Sequence, residues 1–570
     1  MVFGQIQSSN QEGPAGPLSV APGMPQADPT GVVWDAIIVG TGMGGATLGY
    51  ALAKAGQRVL FCELGLNHLA GAGALTGQYP EQGAPDPGAV FEQSAQALLG
   101  SAGRYRDAVV DESGWPARRF IPFVGSGSGG SSALYGMAFE RFAAADFSPR
   151  AKHPNAAESS LEDAWPIRFD AFCPYYAAAE TLYRVRGSAD PLNRSPGQPR
   201  YLSPPPPLTP EAAGLFDFFA HQGLHPYPLP LACEFVPGCQ CCQGFLCGKD
   251  CKNDSARICL APAVRDFGAV LLDDCRVLLR IDADRARATG LACHWRGQAI
   301  TLRGKRIVLA AGALQTPNLL LRSQSAYWPN GLANGSDRVG RNLMRHCIDL
   351  YLVQPKPGER GGAFDNRFKA FAFNDFYNTG DVKLGSVQSF GRLPPGEMLF
   401  SALQHDVQDG PVPWMAAAFG LTRPLLQPVL QRLVDRSITL ATIMEDLPYL
   451  DNRILPGLDG TPGAVHMRYR LHDQDRARVA RFRSLMRDAL RPLRWRLIKQ
   501  AENNQRIAHA CGTCRFGNDP KTSVLDLNNR CHELENLYVV DSSFFPSSGG
   551  TNPSLTIAAN ALRVAEQLVR

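Results

Sequence analysis

The stretch that decides the fold is Val32–Gly65, "VVWDAIIVGTGMGGATLGYALAKAGQRVLFCELG". It reads as a buried strand, a glycine turn, a helix and a second strand. Gly40, Gly42 and Gly45 give the spacing G-x-G-x-x-G. Gly40 permits the tight turn, Gly42 lets the backbone approach a pyrophosphate, and Gly45 lets helix and strand pack closely. The helix N-terminus then presents free N–H groups and a positive dipole end to phosphates. Glu63 closes the second strand 18 residues after Gly45. A carboxylate there can accept hydrogen bonds from both ribose hydroxyls and would repel a 2′-phosphate. Because strand, turn, helix, second strand and acidic end agree, the segment is read as the dinucleotide-binding unit of a Rossmann-like α/β domain. The motif alone does not choose FAD over NAD.

Outward from this unit, the 570 residues suffice for two or more domains. A net charge of +5 is mild for that length. With no dense run of Lys and Arg among aromatics, it gives no reason to expect a nucleic-acid partner. No apolar run approaches the roughly 18 residues of a membrane span. Residues 1–30 lack a basic start and an apolar core, so they read as a flexible tail and not a secretory signal. The expected compartment is the cytoplasm. No internal repeat is evident.

Three further stretches carry chemistry. "FVGSGSGGSSALYGMAFERF", Phe123–Phe142, has successive glycines whose N–H groups can line a flat ring or a phosphate. "RIVLAAGALQTPNLLLRS", Arg306–Ser323, reads as a buried strand, a small-residue turn, a Pro at a helix start and an apolar helix. In "TNPSLTI", Asn552 and Pro553 read as a cap and first-turn residue for the last amphipathic helix.

Taken together, "GSGGSSALYGM", "GALQTPNLLLRS", "WPIRFDAFCPYYAAAE", "VGRNLMRH" and "HACGTCRFG" with "NLYVVDSSFFPSSGGTNPSLTIAANALRVAE" resemble the glucose–methanol–choline (GMC) family of FAD-dependent oxidoreductases. The resemblance spans about residues 33–350 and 505–570 and is weak between 351 and 504. It implies FAD as cofactor. Residues 31–150, 231–345 and 505–570 would then form the FAD domain. Residues 151–230 and 346–504 would form an α+β substrate domain, an antiparallel sheet covered by helices. It implies Gly40, Gly42, Gly45 and Glu63 on the ADP half, with Gly129, Gly130 and Ser131 near the pyrophosphate and flavin. Val277 would hold the adenine through its backbone, and Asp541 would contact the ribityl–pyrophosphate part. Tyr135 stands where the family usually has Asn. The resemblance also implies that His509 and Asn552 face the flavin: His509 would take the hydroxyl proton of an alcohol, and Asn552 would hold the alcohol oxygen. The last helix would aim its dipole at the flavin. His346 and His532 are read as surface or packing residues.

Seven of the fifteen cysteines fall in "CEFVPGCQCCQGFLCGKDCKNDSARIC", Cys233–Cys259. Such thiols can bind zinc or an iron–sulfur cluster, form disulfides, or stay inert. The spacing is similar to that of bacterial FAD-dependent dehydrogenases with a [3Fe–4S] cluster. That match implies Cys241, Cys247 and Cys251 as ligands, with Lys252 where those proteins have Pro. A cluster would relay electrons from the flavin to an outside acceptor, so the expected enzyme is a dehydrogenase with a non-oxygen acceptor, with an alcohol oxidase that produces hydrogen peroxide as the alternative. A hydroxynitrile lyase on the same fold is a further alternative. The Pro-rich stretch from Pro191 reads as a surface excursion, and Asp475–Lys499 as a basic amphipathic helix interrupted near Pro492. The expected substrate is a small-molecule alcohol of sugar, polyol or sterol type.

Overall fold

The computed structural model describes residues 28–69, 73–82, 92–193, 202–278, 287–288, 290–354, 367, 369–380, 382–408, 414–457 and 463–570. Most of the expected N-terminal tail and residues 194–201 of the Pro-rich stretch lie outside them. Ala36–Val39 is four apolar residues, all buried. A strand covered on both faces belongs in the middle of a parallel sheet. It lies there, in the order Leu537–Val539, Ile307–Leu309, Ala36–Val39, Val59–Cys62, Val270–Leu272, every pair parallel. The glycine-turn helix, Met43–Lys54, packs against the last helix, Ser554–Val569. The Rossmann-like expectation therefore holds, and its outer strand comes from nearly 500 residues downstream.

A second, six-stranded sheet is antiparallel throughout. Its order is Arg494–Ile498, Cys347–Gln354, Ile438–Met444, Gly385–Ser389, Phe371–Phe373, Tyr227–Pro228. Side chains alternate along each strand. Cys347, Tyr351 and Val353 join a core with the helices Pro210–His221 and Asp473–Ala489. Ile348, Leu350 and Leu352 point the other way, where the helices Gly396–Gln408 and Arg423–Asp435 lie over them. This is an antiparallel sheet covered by helices, as the resemblance implied.

Four local readings change. The basic helix ends at Ala489, and Arg494–Ile498 is an edge strand beside Cys347–Gln354. Pro492 removes the donor a continuing helix needs. Pro317 lies inside the helix Gly312–Arg322, not at its start; the carbonyl of Ala313 that it leaves unpaired accepts from Thr513 Oγ1 at 2.8 Å. The helix Phe169–Leu182, grouped by sequence with the substrate segments, packs on the C-terminal helix of the nucleotide unit, where Tyr175 donates to Glu566 at 2.7 Å and Tyr176 pairs with Thr556 at 2.9 Å. Strands Arg453–Leu455 and Val465–Arg468 likewise join Val109–Asp111 and Arg118–Phe120 in one sheet.

Candidate active site

One cavity of about 1270 Å³ runs from the glycine turn to the antiparallel sheet. Gly40, Gly42, Glu63, Gly130, Ser131, Val277 and Asp541 line it at one end. His509 and Asn552 line it further on. The glycines separate by function. A Cβ on Gly40 would sit 2.4 Å from the Ala310 oxygen, and one on Gly45 would sit 2.2 Å from the Gly40 oxygen. Gly44, which the motif does not count, is as tight: its Cβ would meet the Val540 oxygen at 2.1 Å. Gly42 has nothing within 4 Å. Its missing side chain leaves room for a ligand, not for protein. Gly129 and Gly130 both take positive φ, and a Cβ on Gly130 would approach Gly42 Cα at 3.1 Å, so the two glycine loops touch.

Glu63 joins those loops. Its Oε2 accepts from the Thr41 N–H (2.9 Å) and hydroxyl (2.7 Å); its Oε1 accepts from the N–H groups of Gly127 (2.9 Å) and Gly65 (3.1 Å). A carboxylate has about four acceptor positions. All are engaged by protein donors, and ribose hydroxyls would have to share them. Asp541 is similarly held, by Gly312 N–H and the Thr316 hydroxyl on one oxygen and by Ser543 on the other. Burial raises its carboxyl above the usual range, opposed by those hydrogen bonds.

His509 is fixed on both sides. Met344 and Cys511 exchange backbone hydrogen bonds, and the N–H groups of Gly512 and Cys514 donate to Ser542 and Ser543. His509 Nδ1 lies 2.9 Å from Nδ1 of His346. His346 is not a surface residue: it is buried, at φ +60°, with Nε2 3.0 Å from the carbonyl oxygens of both Ser548 and Gly549. Carbonyls only accept, so His346 Nε2 carries the proton and its Nδ1 is bare. His509 must then donate from Nδ1, which leaves its own Nε2 bare on the cavity side. Burial first, then the neighbouring His346 and Lys369, hold His509 well below the ordinary histidine range. Asp446 supports the arrangement: it accepts from the N–H groups of Arg345 (2.8 Å) and His346 (3.0 Å), and from the hydroxyls of Ser548 (3.1 Å) and Tyr469 (2.7 Å).

Asn552 is not a cap. The last helix begins at Ser554, no side chain caps it, and Asn552 Oδ1 is buried without a partner among the described residues. The neighbouring backbone is anchored. Thr551 donates to Glu140 at 2.8 Å, and Gly550 N–H donates to Tyr377, whose hydroxyl donates to Asp146 at 2.7 Å. Asp146 in turn meets Lys383, which also pairs with Glu445 at 2.8 Å. "VGRNLMRH", which ends at His346, was a usable signal for the second histidine. Asp446, Glu140 and Lys383 stand in stretches without motifs. His532 pairs with the Ser523 hydroxyl at 2.9 Å.

Models of the GMC oxidoreductase family match residues 231–348 and 457–561. The 6'''-hydroxyparomomycin C oxidase of Streptomyces lividus is 31% identical over 94% of this chain and 91% of its own length. The chain belongs to the GMC oxidoreductase family. Paromamine 6'-oxidase of Streptomyces fradiae is 28% identical, and 2-methyl-1,2-propanediol dehydrogenase of Mycolicibacterium austroafricanum 24%; each match covers 94% of this chain, with 91% and 95% of the relative. The crystal structure of pyridoxine 4-oxidase from "Mesorbium loti" superposes with a TM-score of 0.58 at 20% identity, over 94% of this chain and 99% of that one. This GMC protein is therefore an FAD-dependent oxidoreductase acting on CH–OH donors. Its residues fit FAD: the cavity is continuous, Gly42 opens onto it, and the Asn552 carboxamide oxygen lacks a protein partner.

The cysteines of the GMC chain do not fit the expected cluster. The thiols that converge are Cys233, Cys239 and Cys251, all within 4.8 Å, and not the trio Cys241, Cys247 and Cys251. Cys239 lies 3.9 Å from Cys233, 3.3 Å from Cys251 and 3.8 Å from Cys241; Cys247 lies 3.7 Å from Cys251. Thiolates around one tetrahedral ion with bonds of about 2.3 Å sit about 3.8 Å apart, whereas a three-iron cluster inserts a wider body between its ligands. The loop packs on the cavity wall: Gly244 N–H donates to Leu134 at 2.8 Å, Lys252 donates to the Ala133 carbonyl at 2.6 Å, and the Tyr135 hydroxyl donates to Asn253 at 2.7 Å. Tyr135, where the family usually has Asn, thus ties wall to loop.

Proposed function

We propose that this enzyme oxidises a CH–OH group of a small-molecule alcohol, with His509 as the base and Asn552 as the group that holds the alcohol oxygen. The observation that carries the reading is the histidine pair. His346 fixes the tautomer of His509, and the bare Nε2 faces the cavity as a proton acceptor. The depressed pKa keeps that nitrogen neutral at ordinary pH. FAD bound in this cavity supplies the acceptor for the hydride. The chain's own contribution is to take the hydroxyl proton at Nε2, to orient the C–H bond through the Asn552 carboxamide, and to keep water out of a largely apolar chamber. Gly40, Gly42, Gly130 and Ser131 are proposed to cradle the dinucleotide, with Gly45 and Gly129 shaping the two loops from behind, Val277 at the adenine and Asp541 at the ribityl–pyrophosphate part. Glu63 serves chiefly to lock the two glycine loops.

Two acceptors have support. The Streptomyces relatives are named oxidases and the Mycolicibacterium relative a dehydrogenase. Because the thiols do not fit a cluster, the relay argument for a dehydrogenase falls away, and oxygen becomes the first reading. The test is an anaerobic panel of alcohols mixed with the holoenzyme while the visible absorbance of oxidised flavin is followed. Bleaching by an alcohol supports oxidation and excludes a lyase; a flavin that stays oxidised with every alcohol overturns the proposal. One peroxide formed per turnover in air supports oxygen. Turnover only with an artificial acceptor returns the dehydrogenase.

A further inference from the structure

Beyond His509 the cavity is walled by aliphatic side chains. On neighbouring strands Ile348 faces Ile443, and Leu350 faces Ala441. From the helices above, Met398, Leu403, Leu430 and Leu433 close the chamber. Leu403 is 40% exposed, so this wall reaches the protein surface. Charge in this half is of one sign. Lys369 and Arg345 are buried in the wall, and Arg496 and Arg506 stand exposed at the rim. Among the described residues the cavity's carboxylates, Glu63 and Asp541, belong to the nucleotide end. Lys369 makes no salt bridge or hydrogen bond among the described residues; its Nζ lies 5.1 Å from the Phe390 ring centroid. Burial lowers it to about 8, so it stays mostly cationic at neutral pH.

We infer that the substrate is an alcohol on an aliphatic or aromatic body without cationic groups, and that amino sugars such as paromamine are excluded. The inference rests on the alcohol-oxidising reading for the hydroxyl end and on the chamber walls for the rest. An aliphatic wall gains about fourfold in affinity for each methylene it covers. In an effective dielectric of about 20, an ammonium anywhere within about 12 Å of Lys369 loses about tenfold or more. A cationic substrate would instead call for carboxylates or an unencumbered aromatic cage here.

The experiment is equilibrium binding to the oxidised holoenzyme, read by flavin fluorescence, paired with anaerobic bleaching. Across 1-butanol to 1-octanol the dissociation constant is expected to fall about fourfold per methylene. 8-Amino-1-octanol should bind at least about tenfold more weakly than 1-octanol, and Lys369→Met should narrow that gap without abolishing it, since desolvation of the ammonium remains. Paromamine should not compete. A flat alkanol series, or paromamine binding tighter than 1-octanol, overturns the inference, and the wild-type series decides this even if the variant misfolds. Length-dependent binding without bleaching by any alcohol upholds the chamber chemistry and sinks alcohol oxidation. Bleaching by paromamine or glucose but not by alkanols does the reverse.

Discussion

His346 decides which nitrogen of His509 is free, although it lies one imidazole back from the cavity. Replacing it with Leu removes the acceptor for His509 Nδ1–H and lets the ring take either tautomer. We expect flavin reduction at least tenfold slower, with FAD content unchanged. His346→Gln offers both an acceptor toward His509 and a donor toward the Ser548 carbonyl, so it should recover part of the rate. A merely space-filling role would predict that Leu does no worse than Gln. His509→Ala should keep the flavin and slow its reduction by about 10²-fold or more. Because the folded pKa of His509 is depressed, its neutral imidazole, the proposed base, persists below the ordinary histidine range. The profile of kcat/KM should therefore show no acid limb near about 6.5, the limb lying well below. The stability linkage has the matching sign: the neutral buried ring contributes above the unfolded pKa, and that contribution is lost as pH falls toward the folded one.

The strand–turn–helix element separates two kinds of glycine. The Cβ of Gly42→Val has no protein atom within 4 Å, so the chain should fold with an unchanged far-UV spectrum yet retain much less FAD after gel filtration. Gly45→Val drives a side chain into the Gly40 carbonyl and the Ala310 methyl, and soluble expression should collapse. If both variants behave alike, the distinction is wrong. This element was legible from sequence because its rules are local: apolar run, glycine spacing, helix, acidic strand end. His509 and Asn552 were legible only through motifs shared with a family. The four hydrogen bonds of Glu63, three of them from the glycine loops, were not legible, since Gly127 is 64 residues away and its N–H carries no sequence signal. Reading Asn552 as a cap failed because Asn-Pro suits a helix start by propensity alone. The helix begins one residue after Pro553, and the carboxamide turns elsewhere. The cysteine trio failed because spacing along a loop does not fix which thiols meet. Cys233 is drawn in by the bridge between its own segment and Lys252.

At the scale of the whole molecule, a buried carboxylate ties the antiparallel sheet to the segment that carries Asn552: Glu140 accepts from Thr551 at 2.8 Å and from Asn374 at 3.0 Å and pairs with Tyr227. Burial, and then the nearby Asp190, raise Glu140 to about 7 from an ordinary 4.5. Its contribution to stability is full below the unfolded pKa and is lost as pH rises through the folded one. That shift corresponds to about 3 kcal/mol between the two limits. Glu140→Gln should flatten the corresponding decline of Tm between acid and neutral pH; an unchanged decline would assign it to other groups, such as Asp475, also raised to about 7. The parallel sheet has another consequence. Its edge strand, Leu537–Val539, adds to Ile307–Leu309, which lies beside Ala36–Val39. A growing polypeptide cannot close this sheet until about five hundred residues have left the ribosome. Folding of the nucleotide unit is then a late, long-range event exposed to aggregation, the kind chaperones shelter. A premature stop before residue 537 would strand an otherwise nearly complete chain in that unprotected condition.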